Sequence, residues 1–253
     1  VVQALWVARL LLPASMGLAS FVLLALVEIA IPIWAARAGH TPWHAHHIAE
    51  RYGLFTIIVL GECVLGATNA VSSVIKATGW TWNVALVGFG ATSLILSLWW
   101  VYFLVPSGRA LHEHRDRAFR WGYGHAAVFL SLAALGAFLE VVADQLQTPA
   151  VATGVDVRLP HPMSATYAIS LVAVAVTVYL LSVWWMSAQV TRSQAGLKRI
   201  WVVGVLLPAA VVVAVWQGLP LPWAIPALTL APLFVVLIIE RGEVGRPERF
   251  AIR

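Results

Sequence analysis

The chain has 253 residues, 61% hydrophobic and 11% charged, with a formal net charge of +5 and a mean hydropathy of +0.86. Soluble domains run about 45–50% apolar and about 25% charged, so this composition excludes a soluble globular enzyme, a disordered chain and a basic nucleic-acid-binding domain. What remains is an all-α fold class, a polytopic transmembrane helical bundle, with the lipid bilayer as its first partner and no nucleic acid.

The chain opens Val1-Val2-Gln3 without Met, and no basic n-region precedes a short apolar core and a cleavage site. Residue 1 therefore reads as a cut edge, and 1–253 as a single transmembrane domain forming the C-terminal part of a longer chain. A short apolar piece, Ala4 to Val7, reads as the end of a helix. Seven apolar segments follow, at 12–35, 53–75, 84–104, 122–143, 164–186, 199–217 and 223–240. Each is long enough to cross a bilayer, which takes roughly 20 residues, and the last is near the lower limit. Each should be helical, because a lone segment in lipid must satisfy its own backbone hydrogen bonds.

The first span carries Glu28 near its far end and Pro32. The loop after it, His40-Thr41-Pro42-Trp43-His44-Ala45-His46-His47, holds four of the eight histidines. His46 and Glu50 are four apart, as residues sharing a helical face are. His40, His44, His46 and His47 are candidate ligands for zinc or another borderline metal, or a proton relay. Their spacing matches no strong zinc signature, and solvated interfacial histidines are the plainer reading. No motif calls for a cofactor.

The second span is the richest. Glu62 falls near its middle, where a carboxylate is expensive and is expected to face the bundle interior and a partner or water. Gly61 and Gly66 suit close helix approach, and Thr56, Thr68 and Asn69 add polar groups. Arg51, Phe55, Ile58 and Glu62 recur by four, three and four residues, so they share a face. Arg51 precedes Glu62 by 11 residues, roughly 16 Å of helix, too far to pair with it. The short loop joining the first two spans leads to the expectation that Glu28 and Glu62 face one cavity. The alternative is that Glu62 only fixes helix packing.

Further along, Arg109, Arg115, Arg117 and Arg120 follow the third span; His112, His114 and His125 are read with this segment and expected to meet headgroups. Glu140 and Asp144 lie one turn apart at the end of the fourth span, read as a solvated helix end. The third span ends Leu96-Ser97-Leu98-Trp99-Trp100 and the fifth Leu181-Ser182-Val183-Trp184-Trp185, an echo attributed to composition. Pro208, Pro226 and Pro232 fall inside the last two spans and mark kinks. The single cysteine, Cys63, excludes an intrachain disulfide and reads as a small buried hydrophobe.

Thirteen of the 16 basic residues fall in the tail and in the loops after the first, third and fifth spans; the other side has Arg9, Lys76 and Arg158. The positive-inside rule then places the C-terminus in the cytoplasm. Tryptophans mark both boundaries, with Trp34, Trp99, Trp100, Trp184, Trp185 and Trp201 at the basic side and Trp80, Trp82, Trp216 and Trp223 at the other, as an interfacial belt requires.

The run His47–Gly66, HIAERYGLFTIIVLGECVLG, closely resembles the signature of the bacterial low temperature requirement A family, whose members typically read ERFGLFTIIVLGES there. Tyr52 replaces Phe and Cys63 replaces Ser. Trp99-Trp100-Val101-Tyr102-Phe103 resembles the family's WWxYF element. The family's N-terminal FFDLVFV-like segment has no counterpart here, in keeping with a cut edge at residue 1. The resemblance implies a bacterial multi-pass inner-membrane protein and, by motif match, carries over Glu50, Arg51, Gly61 and Glu62 as functionally suspect. It names no reaction. The leading expectation is a transporter or channel for a proton, ion or small solute, with Glu62 as midplane site, Glu28 and Asn69 assisting, and His47, Glu50 and Arg51 at the cytoplasmic mouth. A membrane-embedded enzyme on a lipid-like substrate and a structural or sensory membrane protein are the alternatives.

Overall fold

A computed structural model of the chain describes residues 2–39, 42–147, 164–191 and 197–244. Among the described residues every regular element is a helix. The chain divides into two compact units, Val1–His44 and Ala45–Arg253.

In the first unit, helix α1 (Val2–Ala8) continues into a tight turn at Arg9–Leu11, and α2 (Gly17–Ala38) follows a second turn at Ala14–Met16. Pro13 explains the break: a residue before proline is pushed out of the helical region, and Leu12 is extended at φ −81°, ψ 148°. Arg9 ties the hairpin. Its guanidinium donates to the Gly17 carbonyl at 2.8 Å and to Ser20 Oγ at 3.2 Å, and lies within 6 Å of the Trp6 and Phe21 ring centroids. The apolar piece Ala4 to Val7 is thus part of a short helix clamped to α2. Pro32 lies inside α2, which is predominantly apolar and long enough to span a membrane.

The second unit contains α3 (Ala45–Thr78), α4 (Trp82–Phe103), a short α5 (Ser107–Glu113), α6 (Ala118–Gln147), α7 (Ala165–Thr191), α8 (Leu197–Trp216) and α9 (Leu221–Val244). The six long helices pack in a closed ring, in the order α3, α4, α9, α8, α7, α6 and back to α3, and α7 also reaches α4 and α9 across it. The link from α3 to α4 is tight because Gly79 adopts φ +74°, a left-handed conformation that costs glycine little. Its N–H closes on the Ile75 carbonyl at 2.8 Å, and Thr81 then caps α4 by accepting from the Val84 N–H.

Small residues set the closest crossings. A Cβ on Gly66 would stand 2.9 Å from the Gly136 carbonyl oxygen, so α3 and α6 meet backbone to backbone. Cys63, buried at the same crossing, donates its thiol to the Leu132 carbonyl at 3.0 Å. A Cβ on Gly90 would stand 2.6 Å from Pro226 Cδ, which seats α9 on α4. Tyr179 donates across the centre from α7 to the Leu98 carbonyl of α4 at 2.8 Å. Interhelical contacts of this kind, rather than a hydrophobic drive, hold helices together in lipid.

Among the described residues, six helices are long and apolar enough to cross a membrane, against the seven spans read from the sequence. The remaining one is α8, of 20 residues, whose described apolar stretch is Val202–Trp216. Trp80, Trp82, Trp216 and Trp223 are exposed at one end of the ring, and Trp99, Trp100 and Trp185 at the other. That is the arrangement of two interfacial belts.

Candidate functional site

Helix α3 begins at Ala45, eight residues before the apolar run at Gly53, so His46, His47, Glu50 and Arg51 stand on helix rather than in a loop. At 34 residues it is roughly 50 Å long and outreaches the hydrocarbon core, which is ~30 Å thick.

One exposed stripe of α3 carries its polar residues between apolar ones. Arg51, Phe55, Ile58, Glu62, Leu65 and Asn69 follow one another at three- and four-residue steps, and all six are exposed. Ser72, Ser73 and Lys76 continue the stripe and are also exposed. Arg51 and Asn69 are 18 residues apart, about five turns and ~27 Å, close to the thickness of a hydrocarbon core.

This geometry corrects one expectation. Glu62 does not face the interior of the helical ring; it lies on the outward side of α3. The inward side belongs to Cys63, Gly66, Ala67 and Ala70, whose small size admits α6. Gly61, expected to assist close approach, would have nothing within 4 Å of an added Cβ; Gly66 makes the contact. On the inner flank, Thr56 is fully buried and turns its hydroxyl back to the Tyr52 carbonyl at 2.9 Å. Thr68, which is exposed, also turns its hydroxyl back, to the Val64 carbonyl at 2.8 Å.

Glu28 belongs to the first unit and has its own partners there. It accepts from Gln3 Nε2 at 2.7 Å and from Trp6 Nε1 at 2.8 Å, both on α1. His47 and Glu50 form an exposed pair at 3.6 Å. His46 points elsewhere: its ring lies 6.4 Å, centroid to centroid, from His112 on α5, and Gly108 leaves it room, since a Cβ there would stand 2.6 Å from His46 Nδ1. Among the described residues, no three His, Cys, Asp or Glu side chains converge as metal ligands. His44 is exposed just before α3, and His40 lies outside the described residues.

A pocket of about 540 Å³ opens where the start of α3 meets the end of α4 and α5. Glu50 and His46 stand at it beside Gly53, Leu54, Ile57 and Phe103. Next to it is a buried polar cluster that the sequence reading missed. His125, expected to meet headgroups, is 1% exposed within α6. Its Nδ1 lies 2.9 Å from the Trp121 carbonyl and its Nε2 2.8 Å from the Tyr102 hydroxyl. A carbonyl only accepts, so Nδ1 carries the proton, and in the neutral ring Nε2 accepts from Tyr102. Aromatic rings enclose the imidazole, with Trp121 at 4.3 Å, Tyr52 at 4.5 Å and Phe129 at 5.5 Å between centroids. Tyr102 and Phe103 come from the WWxYF-like element, and Tyr52 from the signature run. The two motifs therefore meet around His125.

Membrane-length helices in a closed ring, a tryptophan belt at each end and polar side chains set into the spans define a polytopic helical membrane protein. Residues 1–239 match the family described as bacterial low temperature requirement A protein (LtrA). The chain belongs to that family. No curated protein and no solved structure matches it.

Proposed function

We propose that this protein is a transporter or channel of the bacterial inner membrane, moving a proton, an ion or a small solute along the polar stripe of α3. The observation that carries the reading is the exposure of Glu62 midway along a membrane-length helix, in line with Arg51 and Asn69. A charged side chain at the centre of a span costs about 2.5–3.5 kcal/mol on insertion scales when it meets lipid. The stripe therefore faces water or other protein rather than acyl chains.

In this reading Glu62 is the midplane site, binding and releasing a proton or a cation. Asn69 supplies the next polar stop about 10 Å along the helix, and Ser72 and Ser73 extend the series. His47, Glu50 and Arg51 form the cytoplasmic mouth, with the C-terminus on the same side, as the distribution of Lys and Arg favours. Phe55, Ile58 and Leu65 separate the polar stops and keep the stripe from becoming a continuous wet groove.

The test is flux. Full-length protein and the Glu62→Gln variant are reconstituted in liposomes, and pH-dependent movement of protons and of a panel of small solutes is followed. Glutamine keeps the shape and removes the exchangeable charge, so flux through the variant should fall while its folding and insertion are retained. Equal flux through both proteins would overturn the proposal. A variant that only unfolds at lower temperature would assign Glu62 to packing instead.

A further inference from the structure

The pocket between the start of α3 and the end of α4 and α5 lies on a different side of α3 from the polar stripe. Residues 46, 49, 50, 53, 54 and 57 line it, and Glu62 and Asn69 lie more than a quarter of a turn around the helix from the centre of that face. At about 540 Å³ it has the capacity of a small-molecule site, typically ~300–1,000 Å³. Its walls are mainly apolar, from Leu54, Ile57, Phe103 and Pro106.

The ionisable side chains along it are Glu50, His46 and the Tyr102 phenol. Glu50 is its carboxylate, and among the described residues no Lys or Arg lines it. Tyr102 and Phe103 add two aromatic rings, 5.0 Å apart and set edge to face. Ring faces attract cations through their quadrupole. Tyr102 is also held in place from behind by its hydrogen bond to His125, so this wall is fixed before any ligand arrives. A carboxylate at the rim, aromatic rings in the wall and an apolar floor complement an ammonium group carried on an apolar body.

We propose that this pocket binds an amphiphilic amine, with the ammonium at Glu50 and the aliphatic part against Leu54, Ile57 and Phe103. Two sources share this chemistry: the headgroup of an ethanolamine phospholipid and a free alkylamine. Glu50 is shared with the mouth of the proposed pathway, but the pocket does not rest on Glu62, and the two readings fail separately because this one is tested by binding and that one by flux.

The experiment titrates purified protein in neutral detergent with octylamine, octanol and octanoate, following tryptophan fluorescence and calorimetric heat. Octylamine should bind saturably and at least about tenfold more tightly than the other two, the worth of one charge-assisted contact. Glu50→Gln should abolish that preference while leaving the three ligands equal. Leu54→Trp, at an exposed position on the rim, should fill the pocket and remove binding of all three. Because both variants alter exposed side chains, the thermal transition serves as a check that each remains folded. Equal affinity for the three ligands in the parent protein, or an unchanged preference in folded Glu50→Gln, would overturn the proposal. Competition of octylamine by phosphatidylethanolamine but not phosphatidylglycerol in nanodiscs would identify the lipid headgroup as the source. Equal octylamine binding in both lipids would identify the free amine.

Discussion

The hydrogen bond between Tyr102 and His125 joins α4 to α6 inside the ring, and its removal has a calculable consequence. Tyr102 is 8% exposed and His125 1%, so water does not replace a lost partner. Tyr102→Phe keeps the ring and its packing against Phe103 but leaves Nε2 of His125 with no donor at 2.8 Å. An unsatisfied buried acceptor costs about 1–3 kcal/mol, and this fixes the expected loss of stability. Replacing His125 by Leu in the same background removes the orphaned acceptor, so the double variant should recover part of the loss. The assay is reversible unfolding in mixed micelles of the parent, both single variants and the double variant. A direct contact should give a coupling energy of about 0.5–3 kcal/mol, while independent sites add to within about 0.3–0.5 kcal/mol. Additivity of the two substitutions would refute the pairing.

Other consequences follow from the packing. Gly66→Ala should destabilise by roughly 1–3 kcal/mol, the usual cost of overpacking, because its Cβ would press on the Gly136 carbonyl at 2.9 Å; unfolding in the same micelles measures it, and a neutral result would show that α3 and α6 are farther apart. Glu28→Gln keeps one acceptor but loses the charge that draws Gln3 and Trp6, so amides of Val2–Ala8 should exchange hydrogen faster while those of α3 are unaffected. Cys63 is the single cysteine and is fully buried, so it gives little background in labelling. Ser107→Cys should then react with an impermeant maleimide only from the cytoplasmic side and Ser164→Cys only from outside; the reverse pattern would invert the proposed orientation.

Much of the helix inventory was legible in the sequence because hydropathy runs are long and bounded by charge. The run 84–104 corresponds to Trp82–Phe103, and 164–186 lies within one residue of the start of Ala165–Thr191. The start of α3 was displaced because a helix leaving the membrane becomes polar, and His46 to Arg51 then resemble a loop. Spacing placed Arg51, Phe55, Ile58 and Glu62 on one face correctly, since periodicity needs no tertiary information. It did not say which way that face points. Energetic cost alone turned Glu62 inward, whereas the small residues Cys63, Gly66 and Ala70 decide the matter by admitting α6 on the other side. His125 was hidden by the arginines that precede it in sequence. The signal available was its register: Trp121, His125, Val128, Leu132 and Leu135 recur at four- and three-residue steps, and all are buried. The proximity of Tyr102 to that histidine is a long-range contact, which no local pattern encodes.

The central claim is that Glu62 carries the transported species. Proton and solute flux through proteoliposomes containing the full-length protein or its Glu62→Gln variant tests it most directly. The expected result is pH-dependent flux in the parent protein and a loss of at least about tenfold in the variant, equivalent to about 1.4 kcal/mol on the limiting barrier, at unchanged protein incorporation. Undiminished flux in the variant, or no flux through either protein across a broad panel of ions and small solutes, would contradict it.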